Sequence, residues 1–86
     1  MVRIEAAAII HNGKVWTGRR HHLIMRRIVD ELGPEVAPVN GEQGFVTDEG
    51  RFVDREEAAR IAFESGQMDR QVRTLFSEDI FKNEKA

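Results

Sequence analysis

The chain opens with an apolar run, Ile4, Ala6, Ala7, Ala8, Ile9 and Ile10, that stops at Asn12-Gly13 and resumes at Val15-Trp16. Asn-Gly between two apolar runs predicts a β-hairpin, because both central residues of a type I′ turn take positive φ. A two-residue loop pairs His11 with Lys14, Ile10 with Val15, Ile9 with Trp16 and Ala8 with Thr17. Side chains alternate across a strand. One face therefore carries Ile4, Ala6, Ala8, Ile10 and Val15, and the other Ala7, Ile9, Trp16 and Gly18. Both faces are apolar. After Gly18-Arg19-Arg20 the spacing turns helical, with Met25, Ile28, Val29 and Leu32 on one stripe and Leu23 and Ile24 widening it. Gly33-Pro34 ends that helix. Residues 34–43 read as a loop. Residues 43–47 and 51–53 flank Asp48-Glu49-Gly50 as a second hairpin, in which one of Phe45 and Phe52 faces the core. Asp54 then caps a second helix, with Glu57 as its capping-box partner and Val53 stapled to Ala58, running to Gly66. The tail from Gln67 is less regular, anchored by Leu75-Phe76 and Ile80-Phe81 around Ser77-Glu78-Asp79.

The order β-β-α-β-β-α predicts an α+β domain spanning residues 1–86, with 67–86 as a tail. Its four-stranded, mainly antiparallel sheet carries two helices on one face. In a domain this small the helices cover only that face, and the other is left for a second subunit. Ala7, Ile9 and Trp16 are the expected interface residues.

Composition removes several chemistries. No cysteine means no disulfide, no thiolate nucleophile and no cysteine zinc site. No stretch approaches the roughly eighteen apolar residues of a membrane span. Glu5 stands where a signal peptide would be apolar, so secretion is not expected and a cytoplasmic location is. His21 and His22 are neighbours and diverge on a helix, and His11 has no carboxylate at helical spacing, so no metal or other cofactor is expected. The serines and threonines lack a nucleophile-elbow context, and the acids read as surface and caps. Catalysis is therefore not expected.

The net charge of −2 hides a division. Residues 1–29 hold six basic and one acidic side chain; residues 30–86 hold seven basic and fourteen acidic. The basic residues cluster between Lys14 and Arg27, and Arg19 and Arg20 stand where a strand passes into a helix. Free N–H groups and the helix dipole favour an anion there, and the arginine fork suits phosphate. Arg26 and Arg27 read as solvated partners of Asp30 and Glu31. A nucleic-acid-binding or regulatory module using residues 14–27 is the alternative, disfavoured by the acidic second half and a pI near 5.9.

Residues 6–22, 42–58, 64–67 and 75–80 form an ordered set that resembles small phage and prophage proteins. Within that group the chain is similar to the first family of Thoeris anti-defence proteins. The stretch from Glu42-Gln43-Gly44-Phe45 to Asp54-Arg55-Glu56-Glu57-Ala58 carries most of the likeness. The resemblance implies a non-enzymatic sponge that sequesters cyclic ADP-ribose isomers made by bacterial TIR-domain enzymes. It further implies an oligomer with pockets between subunits, with cyclic oligonucleotides as a second ligand class. Carried over onto this sequence, the ligand-binding residues are Arg19, Arg20, Phe45 for stacking, Asp54, Arg55 and Arg73.

Overall fold

The computed structural model describes residues 2–36 and 41–81. The expected loop at 37–40 and the end of the tail at 82–86 lie outside the described residues. Strands β1 (Ile4–His11) and β2 (Lys14–Gly18) form the first hairpin, with each of the four predicted pairs in register. Asn12 and Gly13 take φ of 53° and 77°, as the tight turn requires. Helix α1 (His21–Leu32) follows and ends at Gly33, with φ of 102°. A 3-10 turn occupies Pro34–Val36, where a loop was expected. The second hairpin joins β3 (Glu42–Thr47) to β4 (Phe52–Asp54), and β4 runs directly into α2 (Arg55–Glu64). A one-turn helix, α3 (Ser77–Ile80), closes the described chain.

The sheet order is β2-β1-β3-β4, and every pairing is antiparallel. The core lies on one face, where α1 and α2 pack over Ala7, Ile9, Trp16, Phe45 and Val53. The expected subunit interface is corrected by this placement. Ala7 and Ile9 are fully buried and Trp16 nearly so, under the helices of their own chain. The face left uncovered by helices is the opposite one, carrying Ala6, Ile10, Val15, Val46 and Phe52 by strand alternation, with Ala8 among them fully buried. Of these Val15 is the most open, at 45% exposure.

Ile4 departs from the predicted alternation. Opposite β3 the register slips by one between Ile4 and Ala6, so Glu5 is an extra residue and Ile4 turns into the core. The Gln67 side chain repairs the ladder at that point. Its Oε1 accepts from the Ile4 N–H at 2.8 Å and its Nε2 donates to the Ile4 carbonyl at 2.8 Å. Phe45 is the core aromatic of the second hairpin, and Phe52 is half-buried on the other face. Phe52 lies across Gly44, where an added Cβ would meet its ring at 2.7 Å and also the Val53 carbonyl. Glycine is required there by close approach.

Asp54 caps α2 as predicted, its Oδ1 accepting from the Glu57 N–H at 2.8 Å. The return arm of the capping box is replaced. The Glu57 carboxylate instead takes Arg51 Nη2 at 2.9 Å and lies 3.7 Å from Arg60. The tail is anchored by Leu75, fully buried, and Phe81, 8% exposed, while Phe76 stays half-exposed.

Candidate functional site

Helix α1 begins without a cap of its own, because Arg20 occupies the N-cap position and its side chain makes no capping bond. The orphan N–H groups of a first turn need acceptors. One is supplied from 56 residues away: the buried Ser77 hydroxyl accepts from the His21 N–H at 3.4 Å. Ser77 in turn donates to Glu78 Oε1 at 3.2 Å. Arg20 reaches the same place, with Nη1 donating to the Ser77 carbonyl at 3.3 Å and to the Arg19 carbonyl at 3.4 Å. It is 8% exposed, so its aliphatic stem belongs to the packing as much as its charge does.

Arg55, the first residue of α2, arrives from the other side of the tail. Its Nη1 donates to the Leu75 carbonyl at 2.8 Å, and its Nη2 donates to Gln43 Oε1 at 2.6 Å. The guanidinium lies 4.9 Å from the centre of the Phe76 ring. Arg19 lies 5.1 Å from the Phe81 ring, with Nη1 donating to the Glu5 carbonyl at 3.2 Å. Residues 75–81 thus gather Arg19, Arg20 and Arg55 around one turn of chain.

His21 sits beneath them. Its ring is edge-on to Phe45, with centroids 5.1 Å apart, and its Nε2 donates to the Gly44 carbonyl at 2.8 Å. Burial lowers its pKa, the Gly44 bond works against that, and Arg55 lowers it further while Glu78 raises it. The ring is therefore neutral near pH 7. Glu78 is held below the usual carboxylate range, first by its own backbone N–H and then by the Ser77 hydroxyl, Arg20 and His21, against desolvation. Burial lowers the Arg55 pKa and Glu78 opposes the change. The charged form of Glu78 is thus favoured first by hydrogen bonds, and only secondarily by the nearby positive charges.

Of the six predicted ligand residues, Arg19, Arg20 and Arg55 meet at the tail. Asp54 is exposed beside Arg55 and is engaged in capping α2. Arg73 is exposed in the bend before Leu75, and no hydrogen bond or ion pair ties it to the others among the described residues. Phe45 is corrected: it is fully buried against His21 and presents no face for stacking. Phe76, 51% exposed and already against Arg55, is the aromatic that faces out. Sequence reasoning missed Phe76, Ser77, Glu78 and Gln43. The apolar anchor around Ser77 was the one available signal, since nothing in a single sequence pairs it with His21.

Among the described residues no cluster of three or more histidine or acidic side chains is arranged to hold a metal ion, and no helix is long and apolar enough to cross a membrane. The model of the phage T4 y16D protein family matches residues 3–81, both hairpins, both long helices and the tail included. The chain belongs to that family. It is a small phage protein, and the match takes in Arg19, Arg20, Arg55 and the segment that gathers them. No curated protein and no solved structure matches the chain significantly.

Proposed function

We propose that the protein is a phage anti-defence sponge. It binds cyclic ADP-ribose isomers, and cyclic oligonucleotides as a second class, and holds them without hydrolysis. The observation that carries the reading is the convergence of Arg19, Arg20 and Arg55 on residues 75–81, beside an outward-facing Phe76. A cyclic ADP-ribose isomer offers a pyrophosphate and an adenine. Arg19 and Arg55 supply planar donors for the first, and Phe76 a stacking face for the second. Arg20 holds the tail in place and acts through it. The family match makes the chain a small phage protein, and the anti-Thoeris part of the reading rests on the sequence resemblance alone. The sheet face of Ala6, Ile10, Val15, Val46 and Phe52 is the surface through which copies associate to place pockets between subunits. The rival nucleic-acid reading needs a continuous basic surface over residues 14–27. Here Arg20 is turned inward, Arg27 donates to the Thr17 carbonyl at 2.7 Å, and Lys14 lies over Trp16.

The test is to mix purified protein with a cyclic ADP-ribose isomer, measure free ligand, heat-denature and measure again. Depletion followed by recovery of intact ligand is expected. No depletion at stoichiometric protein overturns the proposal, and recovery of a product instead makes the protein an enzyme. Arg55→Ala should weaken binding by about 1.5–3 kcal/mol, as for a charge-assisted hydrogen bond. Phe76→Ala should cost about 1–3 kcal/mol if a base stacks there. Native mass measurement at micromolar concentration checks the assembly, and a monomer would remove the shared pocket.

A further inference from the structure

Counter-charge is distributed unevenly over the arginines. Arg27 pairs with Glu31, and Arg51 and Arg60 share Glu57, all three on the exposed surface where an ion pair contributes little. Arg55 is half-buried, and among the described residues no carboxylate stands within ion-pair distance of it. Its guanidinium takes neutral acceptors instead, the Leu75 carbonyl from Nη1 at 2.8 Å and Gln43 Oε1 from Nη2 at 2.6 Å. Burial works against its charge, and Glu78, itself bonded to Ser77, favours that charge only from beyond ion-pair distance. A charge withdrawn from water is costly unless it is paired. The fold therefore omits the counter-charge at the arginine where it would stabilise most. Gln43 is firmly placed for this contact. Its backbone pairs with Ile9, and alternation puts its side chain in the row of Phe45 and Thr47 on the helix-covered face. A glutamate there would present the same oxygen with a negative charge, so the amide holds Arg55 without neutralising it.

We propose that Gln43 is a positioning residue for an anion site anchored on Arg55, and that a phosphate group of the ligand supplies the missing counter-charge. The inference rests on the reading of the arginine cluster as an anion site and names the anchor within it. With Nη1 and Nη2 each engaged once, the guanidinium keeps N–H donors for a phosphate oxygen. The Leu75 and Gln43 oxygens hold its plane, so little side-chain freedom is lost when the anion arrives.

Inorganic pyrophosphate is the probe, with titration calorimetry for affinity and thermal melting for stability. Gln43→Glu keeps the acceptor and adds a counter-charge. It should melt at or above the parent's temperature yet bind pyrophosphate at least tenfold more weakly, a split that a purely structural role would not produce. Gln43→Met has similar volume and no acceptor, and it should lose roughly tenfold in affinity, as for one charge-assisted contact. Asn12→Asp adds the same charge at the exposed hairpin turn, at the opposite end of β1 and β2 from Arg19, and should bind within about twofold of the parent. The proposal is overturned if Gln43→Glu loses no more affinity than Asn12→Asp, or melts well below the parent. It is overturned equally if Gln43→Met binds like the parent, or if the parent does not bind pyrophosphate. In that last case retention of cyclic ADP-ribose would leave the sponge reading standing. The expected pyrophosphate pattern without cyclic ADP-ribose retention would remove the sponge reading alone.

Discussion

The two long helices begin in opposite ways. Helix α2 is capped by the residue next to it, Asp54, through a 2.8 Å bond to the Glu57 N–H. Helix α1 has no cap in its own neighbourhood and receives the Ser77 hydroxyl from the far end of the chain, at 3.4 Å. The first arrangement is local and forms with the helix. The second exists only when the tail has docked. It is also the arrangement that brings arginines together, since the tail that caps α1 is the same segment that Arg19, Arg20 and Arg55 hold. A locally capped helix start is a stability device, and one capped from a distance couples a surface cluster to the fold of the whole domain.

Breaking the docking should have the largest effect. Leu75 is fully buried and pins the tail, so Leu75→Ala is expected to cost about 2–5 kcal/mol in a urea titration. It should also abolish ligand retention at temperatures where the remaining fold survives, which sets it apart from a purely packing change. If retention persists at the parent level, the tail does not organise the cluster. The two caps come next. Asp54→Ala should cost about 1 kcal/mol, the usual value for losing an N-cap side chain. Ser77→Ala should cost less than that, because its contact is at the long limit of a hydrogen bond. Yet it alone of the two should weaken cyclic ADP-ribose binding. A reversed pattern of binding effects would remove the distinction between the two helix starts.

Acid should sharpen the same contrast, by a smaller and more gradual effect. His21 has a folded pKa below its ordinary 6.5, chiefly through burial. The unfolded chain therefore binds the proton more readily, and stability present above about pH 6.5 is lost as pH falls below it. Glu78 is also depressed, from 4.5, so its contribution persists above that value and fades only on further acidification. Melting temperature should therefore decline in two stages on acidification. In His21→Gln, which can donate to Gly44 but does not titrate, the first stage should flatten. An unchanged first stage would show that another group carries it.

Much of the architecture was legible in the pattern of residues. Asn12-Gly13 set the first hairpin and its register, and Asp54 three residues before Glu57 marked the start of α2. Gly33 and Gly66 stopped the helices close to where the pattern ends. Each of these is a short-range relation, governed by backbone φ or by a hydrogen bond within one turn. The site was legible only in part. Arg19, Arg20 and Arg55 could be singled out as residue types in suggestive positions, but their meeting depends on where residues 75–81 pack.

What the sequence determined by itself was the α+β element order, the hairpin turns and the composition of an arginine-rich strand-to-helix junction. The tertiary structure decided which sheet face is covered, and it chose Ala7, Ile9 and Trp16 for the core where the sequence reading had assigned them to a subunit contact. Two apolar faces are equivalent in a pattern of alternation, and only the packing of α1 and α2 distinguishes them. It likewise buried Phe45 and left Phe76 outside, and it joined Ser77 to His21 across 56 residues. Those choices come from long-range packing, for which the free energy depends on the whole assembly of elements and not on any segment alone.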